Sequence, residues 1–249
     1  METLIYDGSF AGWLTAVFEV YEYKLGAVTI TPADSPAQSL FGATRQVITV
    51  EEKAARVWKG LELRTSRQAA RQVYHTFLSE EEGVEAQLLS YLLYAFGNKH
   101  TIEYDYSHPA VRYVMDMNKK IRREKHRMEA FVRFQQTKDN IYYAVISPDY
   151  NVLPLLQQHF EQRYAGQLWV IYDTRRKYGL YYDLQTTNFV EINLEDNPLF
   201  DEKEEKYQEL WQHYFDNVNI KARKNLRLHV RHMPLRYWKY LPEKQPRRS

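Results

Sequence analysis

Apolar and polar positions change their period near residue 130. Before that point they recur at helical spacing. Leu4-Ile5-Tyr6 predicts a short strand and Asp7-Gly8 a turn. Phe10, Trp13, Leu14, Val17, Phe18, Tyr21 and Leu25 then form a broad helical stripe, with Glu19, Glu22 and Lys24 off it. Ser9 or Asp7 can cap that helix. Residues 26–46 contain Gly26, Pro32, Ser35, Pro36 and Gly42, and read as a long loop with at most a short strand at Val28-Thr29-Ile30. Thr49 with Glu52 forms a capping box ahead of a helix through Ala54, Val57, Trp58 and Leu61. Ser66 to Leu78 fits a second helix. Ser79 with Glu82 forms another box, followed by Val84, Leu88, Leu89, Leu92, Leu93 and Phe96, and stopped by Gly97-Asn98. Ser107 and Pro109 open a helix that is apolar at Val111, Val114 and Met115, then basic and nearly bare of apolar residues from Lys119 to Arg127.

Beyond Ala130 the chain alternates. Phe131 to Gln135 and Ile141 to Ile146 read as two strands around a Lys138-Asp139-Asn140 turn. A helix through Val152, Leu155, Leu156 and Phe160 ends at Gly166. Leu168–Tyr172 and Tyr178–Tyr182 make a hairpin, and Phe189–Ile192 a last strand. Helices through Tyr207, Leu210, Trp211, Tyr214 and Phe215, and from Ile220 to about His232, precede an aromatic tail of Tyr237, Trp238 and Tyr240. The expectation is an α+β fold. An N-terminal helical bundle, residues 1–128, packs with a mainly antiparallel sheet in ββαβββ order and C-terminal helices, residues 129–249, the two parts sharing one core.

Composition narrows the function classes. The 249 residues contain 44% hydrophobic and 27% charged side chains, ordinary for a folded chain. No run approaches 18 consecutive apolar residues, so no membrane partner is expected. Met1-Glu2-Thr3 is not the basic start of a secretory signal, and a cytoplasmic location is the default expectation. Cysteine is absent, which removes disulfides, a thiol nucleophile, Cys-ligated zinc and a Cys-held iron–sulfur cluster from this sequence. No cofactor is expected.

The net charge of +2 conceals an asymmetry. Residues 221–248 carry ten basic side chains against Glu243 alone, a net +9 that leaves −7 for the rest of the chain. Arg112 to Arg127 carries seven basic residues against Asp116 and Glu124, a net +5. Clustered charge of this kind is the footprint of a polyanion such as nucleic acid; its plain alternative is a solvated basic face. Arg223, Arg227 and Arg231 line one helical face with Lys224 beside them, and Tyr237 and Trp238 follow as platforms on which bases can stack. The alternative there is pairing with the acidic run 201–205, with Tyr237 and Trp238 plugging the core. Around Glu124, Arg123 and Arg127 are spaced to share a face with Lys125 beside them, and Arg133 lies on the following strand. These four grip phosphate, or Glu124 pairs with Arg127 or Arg133 and ties helix to sheet; the residues leave both open, with His126 as a general base a weaker third reading.

Weaker signals point to no reaction. Tyr6-Asp7-Gly8-Ser9 is better read as a turn and cap than as an anion site. His229 and His232 lack a third ligand nearby, so no metal is expected. Asp173 and Asp183 flank the hairpin, too common an arrangement to argue a nuclease.

Three stretches carry a family resemblance. They are Tyr6-Asp7-Gly8-Ser9-Phe10 with Gly12-Trp13-Leu14; Glu124-Lys125-His126-Arg127-Met128 running into Phe131-Val132-Arg133-Phe134; and Arg223-Lys224-Asn225-Leu226-Arg227 with Met233-Pro234 and Tyr237-Trp238-Lys239. In order and spacing they resemble a bacterial family of unknown function labelled "probable DNA metabolism protein". Members of it are encoded beside a putative DNA modification or repair radical SAM protein, and a related domain is fused to uracil-DNA glycosylase-like domains. The resemblance implies a DNA repair or modification context, with DNA and a radical SAM protein as partners. The expected role is a nucleic-acid-binding accessory subunit without catalysis of its own. A stand-alone DNA-processing enzyme, glycosylase-like or nuclease, and a protein-binding adaptor are the alternatives.

Overall fold

The computed structural model describes residues 2–34, 43–138, 140–191 and 233–244. The chain divides into two compact units, Met1–Ile121 and Arg122–Ser249. It is an α+β protein.

The first unit is built around β1 (Glu2–Tyr6). This strand lies between β2 (Val28–Pro32) and β3 (Ala43–Gln46), and both pairings are parallel. The expected helical part with short strands at Leu4–Tyr6 and Val28–Ile30 thus holds a sheet, which was not expected. Its helices, α1 (Phe10–Glu22), α2 (Glu51–Arg64), α3 (Arg67–Phe77), α4 (Val84–Gly97) and the start of α5 (Pro109–Phe131), accompany a small parallel sheet. Leu4 and Tyr6 of β1 join Trp13, Val17, Leu61, Val73, Leu88 and Leu92 in one buried cluster. Each large apolar side chain buried here contributes about 1.5–3 kcal/mol.

Local rules account for some helix ends and fail at others. Ser9 caps α1 by accepting from Gly12 N–H at 2.9 Å, and Ser66 caps α3 from Ala69 N–H at 3.1 Å. Neither capping box forms. The N-cap of α2 is Val50, with no side-chain bond, and the Thr49 hydroxyl donates to Asp7 Oδ2 at 2.7 Å. α4 starts after Gly83, whose φ of +78° suits glycine, four residues past Ser79.

The second unit contains the end of α5 and a five-stranded sheet. Its strands are β4 (Gln135–Gln136), β5 (Tyr142–Ile146), β6 (Trp169–Asp173), β7 (Tyr178–Tyr182) and β8 (Thr187–Glu191), neighbours in that order. Three pairings are antiparallel, whereas β5 and β6 run parallel, joined by α6 (Leu153–Arg163). A parallel pair needs such a crossover. β6 is central and buried at all five positions. Trp169 packs against Phe160 of α6 and Tyr182 of β7, while Tyr143, Val170 and Tyr172 cluster on the other face. The strand expected from Phe131 is shorter: α5 continues through Phe131, and only Gln135 and Gln136 pair with β5. A 3-10 segment at Leu235–Tyr240 ends in a second at Pro242–Lys244.

Candidate nucleic-acid interface

The buried positions of α5 include Val114, Met117, Ile121, Glu124 and Met128, a three- or four-residue period. Glu124 occupies one place in this stripe and is 2% exposed. A lone carboxylate at that depth is costly unless its lone pairs are filled and its charge matched. Both conditions are met. Oε1 accepts the main-chain N–H of Asp149 at 2.9 Å and the phenol of Tyr237 at 2.5 Å. Oε2 accepts Arg236 Nη2 at 2.9 Å, and Arg127 Nη1 lies 3.5 Å away. Arg236 also reaches Asp149 Oδ2 at 2.8 Å and stacks 4.5 Å over the Tyr237 ring. Burial, then the hydrogen bond and charge of Glu124, push the Tyr237 phenol up, so it remains a proton donor. Burial works against the charge of Arg236, but Glu124, Tyr237 and Asp149 outweigh it and raise its pKa.

A second group lies at the carboxyl ends of β5 and β6. Asp173 is fully buried. Its Oδ1 accepts the main-chain N–H of Arg175 at 2.9 Å, and its Oδ2 pairs with Arg176 Nη1 at 2.9 Å. Arg175 Nη1 and Arg176 Nη2 both donate to the Asp149 carbonyl, at 2.9 and 3.2 Å. Asp183 lies at the far end of the hairpin, held by the N–H groups of its own turn, so the two aspartates do not meet.

The residues expected to grip phosphate are thus separated in role. Arg123 is exposed on α5, as are Lys119, Lys120 and Arg122. Lys119 pairs with Asp116 at 3.0 Å; among the described residues no carboxylate pairs with Lys120, Arg122 or Arg123. Arg127 faces Glu124 and is only 22% exposed. Lys125 pairs with Glu129 at 2.6 Å. Arg133 lies beyond the helix rather than on a strand, and its Nη1 donates to the Ala130 carbonyl at 2.8 Å, closing the helix end. Trp238 is half-buried; its indole N–H donates to the Met233 carbonyl at 3.0 Å and its ring carries the Lys244 ammonium at 4.9 Å. Tyr237, not Trp238, is the core anchor. Arg223, Lys224, Arg227 and Arg231, with His229, His232 and the acidic run 201–205, lie outside the described residues.

Sequence reading missed Arg236, Asp149 and Arg175 as members of one cluster. The available signal was Glu124 itself, a charged residue standing where the helical period calls for an apolar one. In the first unit Asp7 behaves as a turn residue. Oδ1 accepts from Ser9 N–H at 2.9 Å and Ser9 Oγ at 2.6 Å. Partial burial disfavours its charge, but hydrogen bonds from Ser9 and Thr49 prevail and hold its carboxyl below the usual range.

These features define a class: an α+β protein with a small parallel sheet in one unit, and in the other a mixed sheet with an arginine–carboxylate cluster at its parallel strand ends. A family model described as a domain of unknown function, DUF4130, matches residues 82–243, and the chain belongs to that family. No curated protein matches the sequence at a significant level. Among the described residues no helix is long and apolar enough to cross a membrane.

Proposed function

We propose that this protein is a nucleic-acid-binding accessory subunit in DNA repair or modification, working with a radical SAM enzyme that supplies the chemistry. The observation that carries the reading is the solvent side of α5. Lys120, Arg122 and Arg123 stand exposed there, with no carboxylate partner among the described residues. Cations left open to solvent on a long helix suit phosphate contacts, which position a protein without reading sequence. The basic segment 221–248 adds charge of the same sign. The enzymatic partner rests on the family resemblance, and the absence of cysteine means that this chain brings no iron–sulfur ligands of its own. Glu124, the most conspicuous carboxylate, has its lone pairs filled from within, which suits a structural tie better than an acid–base role.

Replacing Arg122 and Arg123 together by Ala is expected to weaken oligonucleotide binding. It should also flatten the slope of log affinity against log salt by roughly one to two units, with melting unchanged. Co-purification with the radical SAM protein should survive nuclease treatment. Base excision or strand cleavage by this chain alone, abolished by one Asp, Glu or His substitution, would make it an enzyme and overturn the accessory reading.

A further inference from the structure

We propose a phosphate-binding site in the second unit, at Arg175 and Arg236, in which a nucleic-acid backbone phosphate replaces the Asp149 carboxylate as the partner of Arg236. Three guanidinium groups converge on Asp149. Arg175 and Arg176 meet its carbonyl at 2.9 and 3.2 Å, and Arg236 meets its carboxylate at 2.8 Å. Two of the three carboxylates in the cluster are committed at depth: Glu124 to Tyr237, Arg236 and a main-chain amide, and Asp173 to Arg176. Among the described residues of the cluster four guanidinium groups, Arg127, Arg175, Arg176 and Arg236, stand against three carboxylates, Glu124, Asp149 and Asp173, which leaves one cation in excess. The Asp149 side chain is 48% exposed and that of Arg236 38%, so an incoming anion can reach both. Among the described residues the side chain of Arg175 donates to a neutral carbonyl, and its backbone is fixed by a main-chain N–H that donates to Asp173 Oδ1. Its fork is therefore held in place. Planar guanidinium forks suit phosphate geometry better than ammonium groups do.

The carboxyl ends of adjacent parallel strands are where open sheets with crossover helices place their ligands. The side chains that form the site, Asp149, Arg175 and Arg236, are open to solvent. A phosphate within a polymer gains from contacts elsewhere along the strand, so the source named is nucleic acid. The proposal rests on the nucleic-acid reading for that source alone; its residues are separate from those on α5.

The test uses the full chain and a short fluorescent oligonucleotide, single-stranded or duplex, titrated across a salt series. Arg175→Ala should lower affinity and flatten the salt slope by about 0.7 to 0.9. Asp149→Asn should raise affinity by about fourfold, the effect of removing one unit-charge repulsion at about 5 Å in a water-like dielectric. Both side chains face solvent and make surface contacts, so melting should change little. Suppose both variants bind like the parent while Arg122→Ala/Arg123→Ala binds worse. The site would then be wrong and the nucleic-acid reading would stand. A parent that binds no oligonucleotide overturns both. Inorganic phosphate that shifts the Arg175 side-chain NMR signal, while the oligonucleotide ignores Arg175→Ala, would assign the site to a free anion and overturn the nucleic-acid source.

Discussion

Asp7 and Glu124 are each a single carboxylate tying together segments far apart in sequence, one in each unit. Their donors differ. Asp7 is exposed and is satisfied by neutral groups: the Ser9 amide and hydroxyl and the Thr49 hydroxyl, 42 residues away. Glu124 is buried and takes an arginine, a phenol and an amide, two of them from residues 112 and 113 positions away. Depth explains the difference. Water still solvates most of the Asp7 charge, so neutral donors suffice. At the depth of Glu124 the Born cost of an unmatched charge exceeds what neutral hydrogen bonds return.

If depth is the governing variable, the two carboxylates should respond to substitution very unequally. Glu124→Ala leaves the buried Tyr237 hydroxyl and the Asp149 amide without their acceptor and takes one of two carboxylates from Arg236, and should cost about 3–5 kcal/mol in urea melting; a loss under about 1 kcal/mol would remove the distinction. Gly12→Ala probes the other hub through its close approach. A Cβ there would lie 2.2 Å from Asp7 Oδ1 and 2.8 Å from Thr49 Oγ1, so the turn must move, at about 1–3 kcal/mol. In an Asp7→Ala background the same change should cost measurably less, and an additive double-mutant cycle would show that the clash lies elsewhere. Tyr237→Phe keeps the ring and removes one donor to Glu124; about 1–2 kcal/mol is expected, read from the shift in urea midpoint.

The smallest effect concerns Asp7 and pH. Its carboxyl is depressed in the folded chain, so the stability it adds is present above the unfolded carboxylate pKa and disappears as pH falls through the lower folded value. Asp7→Asn should therefore remove a few tenths of a kcal/mol at neutral pH and nothing in strong acid, solvent screening keeping the number small. An equal loss at both pH values would trace the effect to packing rather than charge.

Much of the architecture was legible because it follows from local period. The α1 stripe from Phe10 to Tyr21, the cap at Ser9, and the β6–β7 hairpin all depend on neighbours within a few residues. The first-unit sheet was not legible as a sheet. β1 pairs with β2 and β3 across intervals of more than twenty residues, and strands of four or five residues carry too few alternations to announce partners that distant. Thr49 shows the same limit from another side. Its capping box with Glu52 is correct as a local pattern, yet its hydroxyl is claimed by Asp7, a partner that exists only once β1 and α2 are adjacent.

The candidate site divides along the same line. Sequence alone determined that basic charge is concentrated at 112–127 and 221–248, because charge is additive and needs no fold to be counted. It also offered a pairing of Glu124 with Arg127 or Arg133, left open against phosphate gripping, since residues three apart on a helix are neighbours. Only the tertiary structure decided which of those charges face solvent and which are matched internally. Arg122 and Arg123 stay open on α5, and Arg236 reaches Glu124 across 112 positions. Ion pairing falls off within a few ångströms, and separations of that size between residues a hundred positions apart are set by packing of the whole unit, which no local pattern encodes.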